Sequence, residues 1–537
     1  MKKNTTLIAT AVFVIMTAVI LIVNATGVVF GGTFWALVPP LVAIILALIT
    51  KEAYSSLFVG IVLGALMSSA CNFKGTIDNI AINGLSTSIS DNAGIFLFLV
   101  FLGIVVALVN KSGASRAFGE WAQTNIKTKT GAMLATFLLG VLIFIDDYFN
   151  CLTVGSVMSP VTDSKKISRV KLAYLIDATA APVCMIAPIS SWAAAVSGCV
   201  ESEQYSGIEL FIRAIPYNFY SILTLVFVIT LAILNFDYGK MKEFEIKAQS
   251  GDLGALTLSD EEERTLKVDG PKAPSRGKIY DLVIPIVILI GMCVWGLLNN
   301  GYEALEGPGT FIDAFSETDA YVGLPWGSLI ALVIIIVYLV LRKVVTFEEA
   351  MECVPKGFCA MVPAITILTL ATSLKSMTNS LEASTFVGNA MANVQGLQWL
   401  LPAVVFIVAC LVAFATGTSW GTFGILIPIV SAIFPETSSL FFVGISACLA
   451  GAVCGDHCSP ISDTTIMSSA GAHCNHINHV ETQLPYAITV AVISFICYIA
   501  AGIFNLINVT WLSLPLGVAL IVGFLFVMKK KTQKEVQ

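Results

Sequence analysis

Long runs of apolar residues alternate with short polar segments from one end of the chain to the other. A membrane-spanning helix needs about 20 consecutive apolar residues, and twelve runs approach or exceed that length. These candidate spans cover residues 7–30, 33–50, 54–71, 93–110, 171–198, 208–235, 280–299, 323–342, 356–377, 438–470, 483–508 and 511–528. Two further apolar stretches, 131–160 and 397–434, are not placed by length alone. The one long polar segment, 236–279, indicates a solvated linker.

Positive charges in the polar segments orient the spans, because lysine and arginine concentrate on the cytoplasmic side of a membrane. The segments 111–130 and 161–171 carry such clusters, as do the linker and the Lys529–Lys531 tail. The segment 300–322 has no lysine or arginine but carries five acidic residues. We therefore predict that 300–322 is external and that both termini are cytoplasmic.

This orientation also places the two unassigned stretches. Residues 131–160 lie between two segments predicted to be cytoplasmic, so they must enter the membrane and return on the same side. Residues 397–434 follow 378–396, which has no lysine or arginine, and are predicted to enter from outside. The sequence therefore predicts an all-α polytopic membrane protein with about 12 transmembrane helices and two opposed re-entrant hairpins.

An internal repeat supports this arrangement. A shift of 272 positions aligns residues 145–150 with 417–422, and 187–191 with 459–463. Inverted-topology repeats with broken helices are an architecture of secondary transporters. The predicted organisation is a first repeat half with extra N-terminal helices (1–235), a cytoplasmic linker (236–279), a second and inverted repeat half (280–508), and a C-terminal helix with a basic cytoplasmic tail (509–537).

Composition narrows the function classes. Only 12% of the 537 residues are charged and 57% are hydrophobic, whereas soluble domains average about 25% charged residues. The net charge of −6, without a basic stripe, argues against a nucleic-acid partner. The sequence shows no pattern of catalytic nucleophiles or metal ligands that would indicate an enzyme. We expect no resident cofactor. The chemistry is therefore sought in polar residues within the apolar stretches.

The first hairpin contains two adjacent acids, Asp146 and Asp147, followed by Asn150. A lone ionisable side chain in a bilayer core costs at least about 2.5–3.5 kcal/mol. Adjacent carboxylates repel each other, so both ionise only when a cation is near. The pair therefore indicates a cation site, although a hairpin tip that reaches water would also tolerate it.

The aligned position in the second hairpin is rich in hydroxyl groups instead. Thr418 and Ser419 lie between Gly417 and Gly421, in a stretch with no charged residue. Glycines expose carbonyl oxygens, and Na⁺ prefers oxygen ligands of this kind. Small residues are also common at ordinary helix contacts, so this signal depends on the repeat.

The apolar run 438–470 is interrupted by Pro460, which removes a backbone donor and breaks a helix. Several oxygen-bearing side chains flank the break and form a candidate cation site: Asp456, Ser459, Ser462, Asp463 and Thr464. His457 is predicted either to relay protons or to hydrogen-bond at the break. The histidines from His473 to His479 are interpreted as a wetted loop, with a structural metal site as the alternative.

The equivalent break in the first half includes Ser190 and Ser191, which we assign to the binding site. Asp177 precedes this break and lies about two turns into the predicted span 171–198. It is either a deep acid on the proton path or a residue at the cytoplasmic end of its span, and the sequence does not decide between them.

At these residues the chain resembles the NhaC-type sodium/proton antiporter family. The resemblance lies in Gly455–Thr465, in Phe144–Asn150 and in Asp177–Pro182. It implies membership of the wider ion transporter superfamily, with opposed hairpins, elevator-type motion and frequent dimerisation through a scaffold domain. Relatives exchange sodium for protons, and some move organic acids or amino acids such as malate, lactate or methionine.

Two functions follow as hypotheses. The first is a Na⁺/H⁺ antiporter of a bacterial cytoplasmic membrane, in which Na⁺ and H⁺ compete for the carboxylates at the breaks. The alternative is a Na⁺-coupled or proton-coupled carrier of a small organic acid or amino acid. The absence of lysine and arginine at both breaks favours the cation exchanger. We expect a homodimer, and we expect Asp146, Asp147 and Asn150 to lie near Asp456 and Asp463.

Overall fold

The protein is helical throughout the part of the chain that the structure describes. The structure is a computed structural model, and it describes residues 2–50, 53–144, 147–200, 202, 204–254, 277–305, 310, 314, 317–383, 385–386, 398–434, 436–460 and 462–534. Within these ranges no β-strand is present. This agrees with the predicted fold class, an all-α membrane protein.

Fifteen helices lie in the described residues before 255. They are α1 Lys2–Ala25, α2 Val38–Thr50, α3 Ala53–Ser68, α4 Phe73–Asp78, α5 Thr87–Asp91, α6 Ala93–Ser112, α7 Ala114–Asn125, α8 Lys129–Leu142, α9 Asp147–Ser164, α10 Arg169–Asp177, α11 Ala181–Cys184, α12 Ser191–Cys199, α13 Gly207–Ala214, α14 Phe219–Leu234 and α15 Gly239–Gln249. A π-helical segment, Asn79–Ser86, joins α4 to α5.

Nine helices lie in the described residues after 276. They are α16 Tyr280–Ala304, α17 Ala320–Leu341, α18 Phe347–Ser380, α19 Leu401–Thr416, α20 Ser419–Ile433, α21 Leu440–Cys458, α22 Asp463–Gly471, α23 His476–Asn505 and α24 Ser513–Lys534. Short 3₁₀ turns at Phe34–Leu37, Ile215–Tyr217, Gln398–Leu400 and Thr510–Leu512 lead into or out of the longer helices.

Among the described residues, nine helical segments are long and apolar enough to cross a membrane. Five shorter apolar helices accompany them, including α8 and α20. The chain is therefore a multi-pass membrane protein. The segment that contains α19, Gln398–Thr416, is itself long enough to cross. Helix length alone thus does not distinguish a hairpin from two spans, and the opposed entry of the hairpins stays a prediction.

Two predicted spans are not continuous helices. The run 171–198 is divided among α10, α11 and α12, and 438–470 is divided into α21 and α22. Prolines explain both divisions, because a proline cannot donate to the preceding turn. Pro188 lies in the non-helical stretch before α12, and Pro460 lies between α21 and α22.

The helix boundaries repeat with the spacing predicted from the sequence. Adding 272 to 147, where α9 begins, gives 419, where α20 begins. Adding 272 to the bounds of α12, 191 and 199, gives the bounds of α22, 463 and 471. The relative direction of the two halves in the membrane stays a prediction.

Each hairpin packs against the broken helix of the other half. In the first hairpin, a Cβ atom added at Gly155 would lie 2.4 Å from the Gly471 carbonyl carbon, so α9 and α22 touch through their backbones. In the second hairpin, the ring of Trp420 lies 5.8 Å from that of Trp192 on α12, centroid to centroid. The two halves therefore pack against each other through both hairpins.

Residues 239–249 of the predicted linker form the packed helix α15, which the sequence analysis did not predict. Glu245 on this helix is buried; it forms an ion pair with Lys129 and accepts a hydrogen bond from the Ser168 amide at 2.8 Å. Just before α15, Asp237 accepts hydrogen bonds from Lys171 Nζ and from the Tyr486 hydroxyl, at 2.7 and 2.8 Å. This segment therefore joins α8, α10 and α23.

Candidate functional site

Four helices begin at the residues predicted to form the site. These are α9 at Asp147, α12 at Ser191, α20 at Ser419 and α22 at Asp463. The residues before three of them are N-caps: Ser190, Thr418 and Ser462 accept hydrogen bonds from the amides of Ala193, Gly421 and Thr465, at 3.2, 3.5 and 3.2 Å. Such hydroxyls stabilise a helix start by satisfying a first-turn amide. Their local role is therefore structural.

Asn150 joins the first hairpin to the first break. Its amide nitrogen lies 2.6 Å from the Gly140 carbonyl oxygen, 3.1 Å from that of Ile143 and 3.2 Å from that of Thr179. The side chain is fully buried, and its Oδ1 atom has no hydrogen-bond partner among the described residues. Asn150 thus closes the hairpin tip and leaves one oxygen available to a cation or a donor.

The neighbouring acids are only partly described. Asp147 is buried at the first residue of α9. Asp146 lies outside the described residues. Asp463 is the first residue of α22, but the structure does not describe its side chain. The predicted convergence of Asp146, Asp147 and Asn150 with Asp456 and Asp463 on one ion therefore stays a prediction.

The second break contacts both hairpins. Ser419 donates a hydrogen bond to the Asp456 carboxylate at 2.8 Å, which links the tip of the second hairpin to α21. Ser459 donates to the Phe414 carbonyl at 2.6 Å. On the other side, the Thr464 carbonyl lies 3.7 Å from Cys151 Sγ in the first hairpin. The residues from Asp456 to Thr464 are thus held between the two hairpins.

Asp177 is the centre of a buried polar cluster formed by both halves of the chain. Its Oδ2 atom accepts hydrogen bonds from Thr465 Oγ1 at 3.0 Å and from Gln483 Nε2 at 2.8 Å. The Nε2 atoms of His479 and His457 lie 3.4 and 3.9 Å from the same oxygen. Asp177 is only 1% exposed, so it is buried among protein side chains, and its place on a proton path stays a prediction.

His457 is positioned by two tyrosines. Its Nδ1 atom lies 2.9 Å from the Tyr220 hydroxyl. The ring of Tyr174 stacks on the imidazole with centroids 6.2 Å apart. A hydroxyl can donate to or accept from the imidazole, so Tyr220 accommodates either tautomer while Nε2 faces Asp177.

His479 and Gln483 were not predicted as site residues, and His479 was assigned to a wetted loop. That interpretation is wrong, because His479 is fully buried against Asp177. The two residues are four positions apart on α23 and therefore share a helix face. In the sequence, the only sign of this shared face was the four-residue spacing of His479 and Gln483 at the start of an apolar run. Its meaning depends on Asp177, which lies 306 positions from Gln483 in the chain.

This arrangement can bind cations and protons. The carboxylates of Asp177 and Asp456 are both buried and receive hydrogen bonds from hydroxyl or amide groups. Within the described ranges, no group of three His, Cys, Asp or Glu side chains could hold a resident metal ion. Hydroxyl and carboxylate oxygens are ligands of the kind that sodium prefers, and histidine and carboxylate side chains can take up protons.

Comparison with known proteins assigns the chain to a family. The model of the Na⁺/H⁺ antiporter family matches residues 183–503. An uncharacterized protein of Haemophilus influenzae is 38% identical over 489 residues, which are 88% of this chain and 92% of that protein. The malate-2H⁺/Na⁺-lactate antiporter of Bacillus subtilis is 32% identical over 111 residues, 20% of this chain and 24% of that protein.

A solved structure shows the same fold. MtrF of Neisseria gonorrhoeae, from a class of antimetabolite efflux pumps, aligns over 83% of this chain and 94% of its own, with a TM-score of 0.52 and 13% identity. This likeness concerns the fold alone. The family match includes the Gly455–Thr465 motif and confirms the resemblance to this family. Because that match spans more than half of the chain, the protein belongs to the Na⁺/H⁺ antiporter family and is a secondary transporter.

Proposed function

We propose that this transporter exchanges sodium for protons across the cytoplasmic membrane of a bacterium. The observation that carries the proposal is the environment of Asp177. Among the described residues, the groups within ion-pair or hydrogen-bond distance of this carboxylate are two histidines, Gln483 and Thr465. No lysine or arginine neutralises it there, so its charge is available to a transported cation or proton.

The roles of the two breaks differ in this proposal. Asp456 and the hydroxyl of Ser419 supply oxygen ligands for sodium, together with Asp147 and Asn150 if the hairpin tips converge. The cluster of Asp177, His457 and His479 holds the exchanged proton. An ionised carboxylate that is buried without a cation is poorly solvated. Binding of either sodium or a proton is therefore more favourable than leaving the site empty. Asp456 is next to His457 in the chain, so sodium at Asp456 and a proton on the Asp177 cluster both neutralise one buried negative region. Binding of either ion therefore weakens binding of the other.

We expect apparent sodium affinity to weaken as pH falls. Proton uptake by the carboxylates removes the negative charge that attracts sodium, so each occupant displaces the other. Binding of radioactive sodium to the purified protein between pH 6 and 9 measures the effect. At pH values below the pKa of the competing group, sodium affinity should fall by up to about tenfold per pH unit, the limit for release of one proton per ion.

The Asp456→Asn variant tests the assignment in the same assay. It should bind sodium weakly at every pH, because asparagine keeps the shape but not the charge. Asp78→Asn is the matched control, since Asp78 is solvent-exposed and pairs with Lys74; it should behave as the unmodified protein. A sodium affinity that is independent of pH would contradict competition between the ions.

The proposal includes the predicted topology, with both termini cytoplasmic, opposed hairpins, inverted halves, an elevator-type movement and a homodimer. Single cysteines introduced into a background without exposed native cysteines report this topology. We expect a cysteine at Lys165 to react with a membrane-impermeant reagent only from the cytoplasmic side, and one at Glu303 only from outside. The reverse pattern would exclude the orientation.

Exchange of a small organic acid is the second candidate. The observation that favours it is the partial similarity to the Bacillus subtilis malate-2H⁺/Na⁺-lactate antiporter. Proteoliposomes separate the two functions. A sodium gradient that moves protons without any added solute supports cation exchange, whereas proton movement that requires lactate or malate supports the organic-acid exchanger.

A further inference from the structure

One side chain joins the buried cluster around Asp177 to the helix end that carries Asp456. Gln483 on α23 is 1% exposed, and its Nε2 atom donates two hydrogen bonds. One goes to Asp177 Oδ2 at 2.8 Å, and the other goes to the His457 carbonyl oxygen at 2.6 Å. A single amide group therefore bridges α10 and α21.

The bond to His457 holds the end of α21. Carbonyl groups in the last turn of a helix have no partner within that helix, and His457 is the second-last residue of α21. The residue before it, Asp456, accepts a hydrogen bond from Ser419 at the start of α20. A donor that fixes the His457 carbonyl therefore also fixes the position of the proposed sodium ligand.

The orientation of the Gln483 amide depends on the charge of Asp177. While Asp177 is ionised, its oxygens only accept hydrogen bonds, as the His457 carbonyl does, so the NH₂ group must face both. The other polar atom, Oε1, is buried and has no hydrogen-bond partner within the described part of the chain. The ionised state thus leaves one buried acceptor of this amide unpaired.

Proton uptake reverses this preference. A hydrogen bond to an ionised group is about twice as strong as one between neutral groups, so the bond from Gln483 to Asp177 weakens when the carboxylate is protonated. The protonated carboxyl group is also a donor, and it can donate to Oε1 if the amide turns over. Turning the amide over leaves the His457 carbonyl without its donor.

Few groups set the pH dependence of this switch. Among the described residues, the titratable side chains that act on Asp177 are His457, His479, Tyr174 and Cys458. Tyrosine and cysteine ordinarily titrate above about pH 8, whereas histidine and carboxyl groups titrate at lower pH. Below about pH 8 the charge of the cluster therefore changes through Asp177 and the two histidines.

We propose that Gln483 is a positioning residue that couples proton binding at Asp177 to sodium binding at Asp456. In the ionised state its amide holds the end of α21 for sodium, and in the protonated state it turns over and releases that end. The inference rests on the proposed function, because it explains how each ion weakens binding of the other beyond the charge that both neutralise.

The variants Gln483→Met and Gln483→Asn test this coupling. Methionine has a similar length without an amide, and asparagine carries the amide on a side chain too short to reach both acceptors. We measure sodium binding to the purified full-length protein until the dissociation constant no longer changes with pH at either end. The ratio of the low-pH limit to the high-pH limit should fall by about fivefold or more in each variant, because coupling between two sites typically amounts to about 5–150-fold.

The matched control is Thr482→Val. Thr482 is the neighbouring residue on α23 and is fully buried, and its hydroxyl donates to two carbonyls of its own helix, those of Asn478 and His479, at 2.8 and 3.0 Å. This variant should keep the ratio of the unmodified protein. A local effect of Gln483 on the proton affinity of Asp177 shifts the midpoint of the pH dependence but leaves the ratio unchanged, so the ratio reports the coupling itself.

Two results would overturn the coupling role. One is an unchanged ratio in a Gln483→Met or Gln483→Asn protein whose melting temperature shows that it is folded. The other is an equal decrease of the ratio in Thr482→Val. Failure of the proposed cation exchange gives a different result, because the unmodified protein itself would then bind sodium equally at every pH.

Discussion

Replacing Asp177 with asparagine is expected to reduce sodium-driven proton movement by on the order of 100-fold, as when a general acid–base group is removed. Asparagine fits the same space, and its oxygen can still accept from Gln483 and Thr465. What the variant loses is the charge and the titration next to His457 and His479. Fluorescence of a pH-sensitive dye in proteoliposomes, after addition of sodium, measures the exchange.

Asp78→Asn again provides the control, because it removes an exposed carboxylate from outside the buried cluster. Equal melting temperatures for both variants and the unmodified protein would show that the fold is intact. If Asp177→Asn still exchanges sodium for protons at the normal rate, Asp177 does not carry the proton.

The second large effect concerns stability. Lys171→Met should lower the free energy of unfolding by about 3–5 kcal/mol, since it leaves the buried charge of Asp237 without its partner. Lys171 is fully buried, and its Nζ atom lies 2.7 Å from both carboxylate oxygens of Asp237. Thermal unfolding of the detergent-solubilised protein detects the change.

The double variant Lys171→Met/Asp237→Asn should recover most of that stability, because it removes both charges together. Lys74→Met is the control: Lys74 is 88% exposed, and surface ion pairs contribute little. A Lys171→Met protein that melts at the normal temperature would show that the Asp237 charge is solvated or neutralised in another way.

The positions of several long apolar helices were largely predictable. Apolar runs long enough to span predicted α6, α16, α17 and α18 near their observed positions, because burial in lipid demands uninterrupted apolar helix. Prolines predicted the two breaks for an equally local reason. The 272-residue shift predicted which helices would begin at equivalent positions.

The site itself was only partly predictable. Asp177, His457 and Asp456 were identified because ionisable residues are costly inside a membrane. The partners of Asp177 were not, since His479 and Gln483 come from another helix, and their role depends on a contact that no spacing reveals. Helix α15 was missed for a related reason. Its polar composition resembles that of a solvated linker, and only the pairing of Glu245 with Lys129 accounts for its burial.

The crossed packing of hairpins and broken helices has a consequence for synthesis of the protein. The hairpin arm that begins at Asp147 packs on α22 through Gly155 and Gly471. More than 300 residues separate these two contact points. While the ribosome makes the intervening chain, the first hairpin is inserted without its final neighbour, and its buried acid Asp147 lacks its completed surroundings. Neither half translated alone would contain a finished site, so assembly of the transporter is a late event that follows insertion of nearly the whole chain.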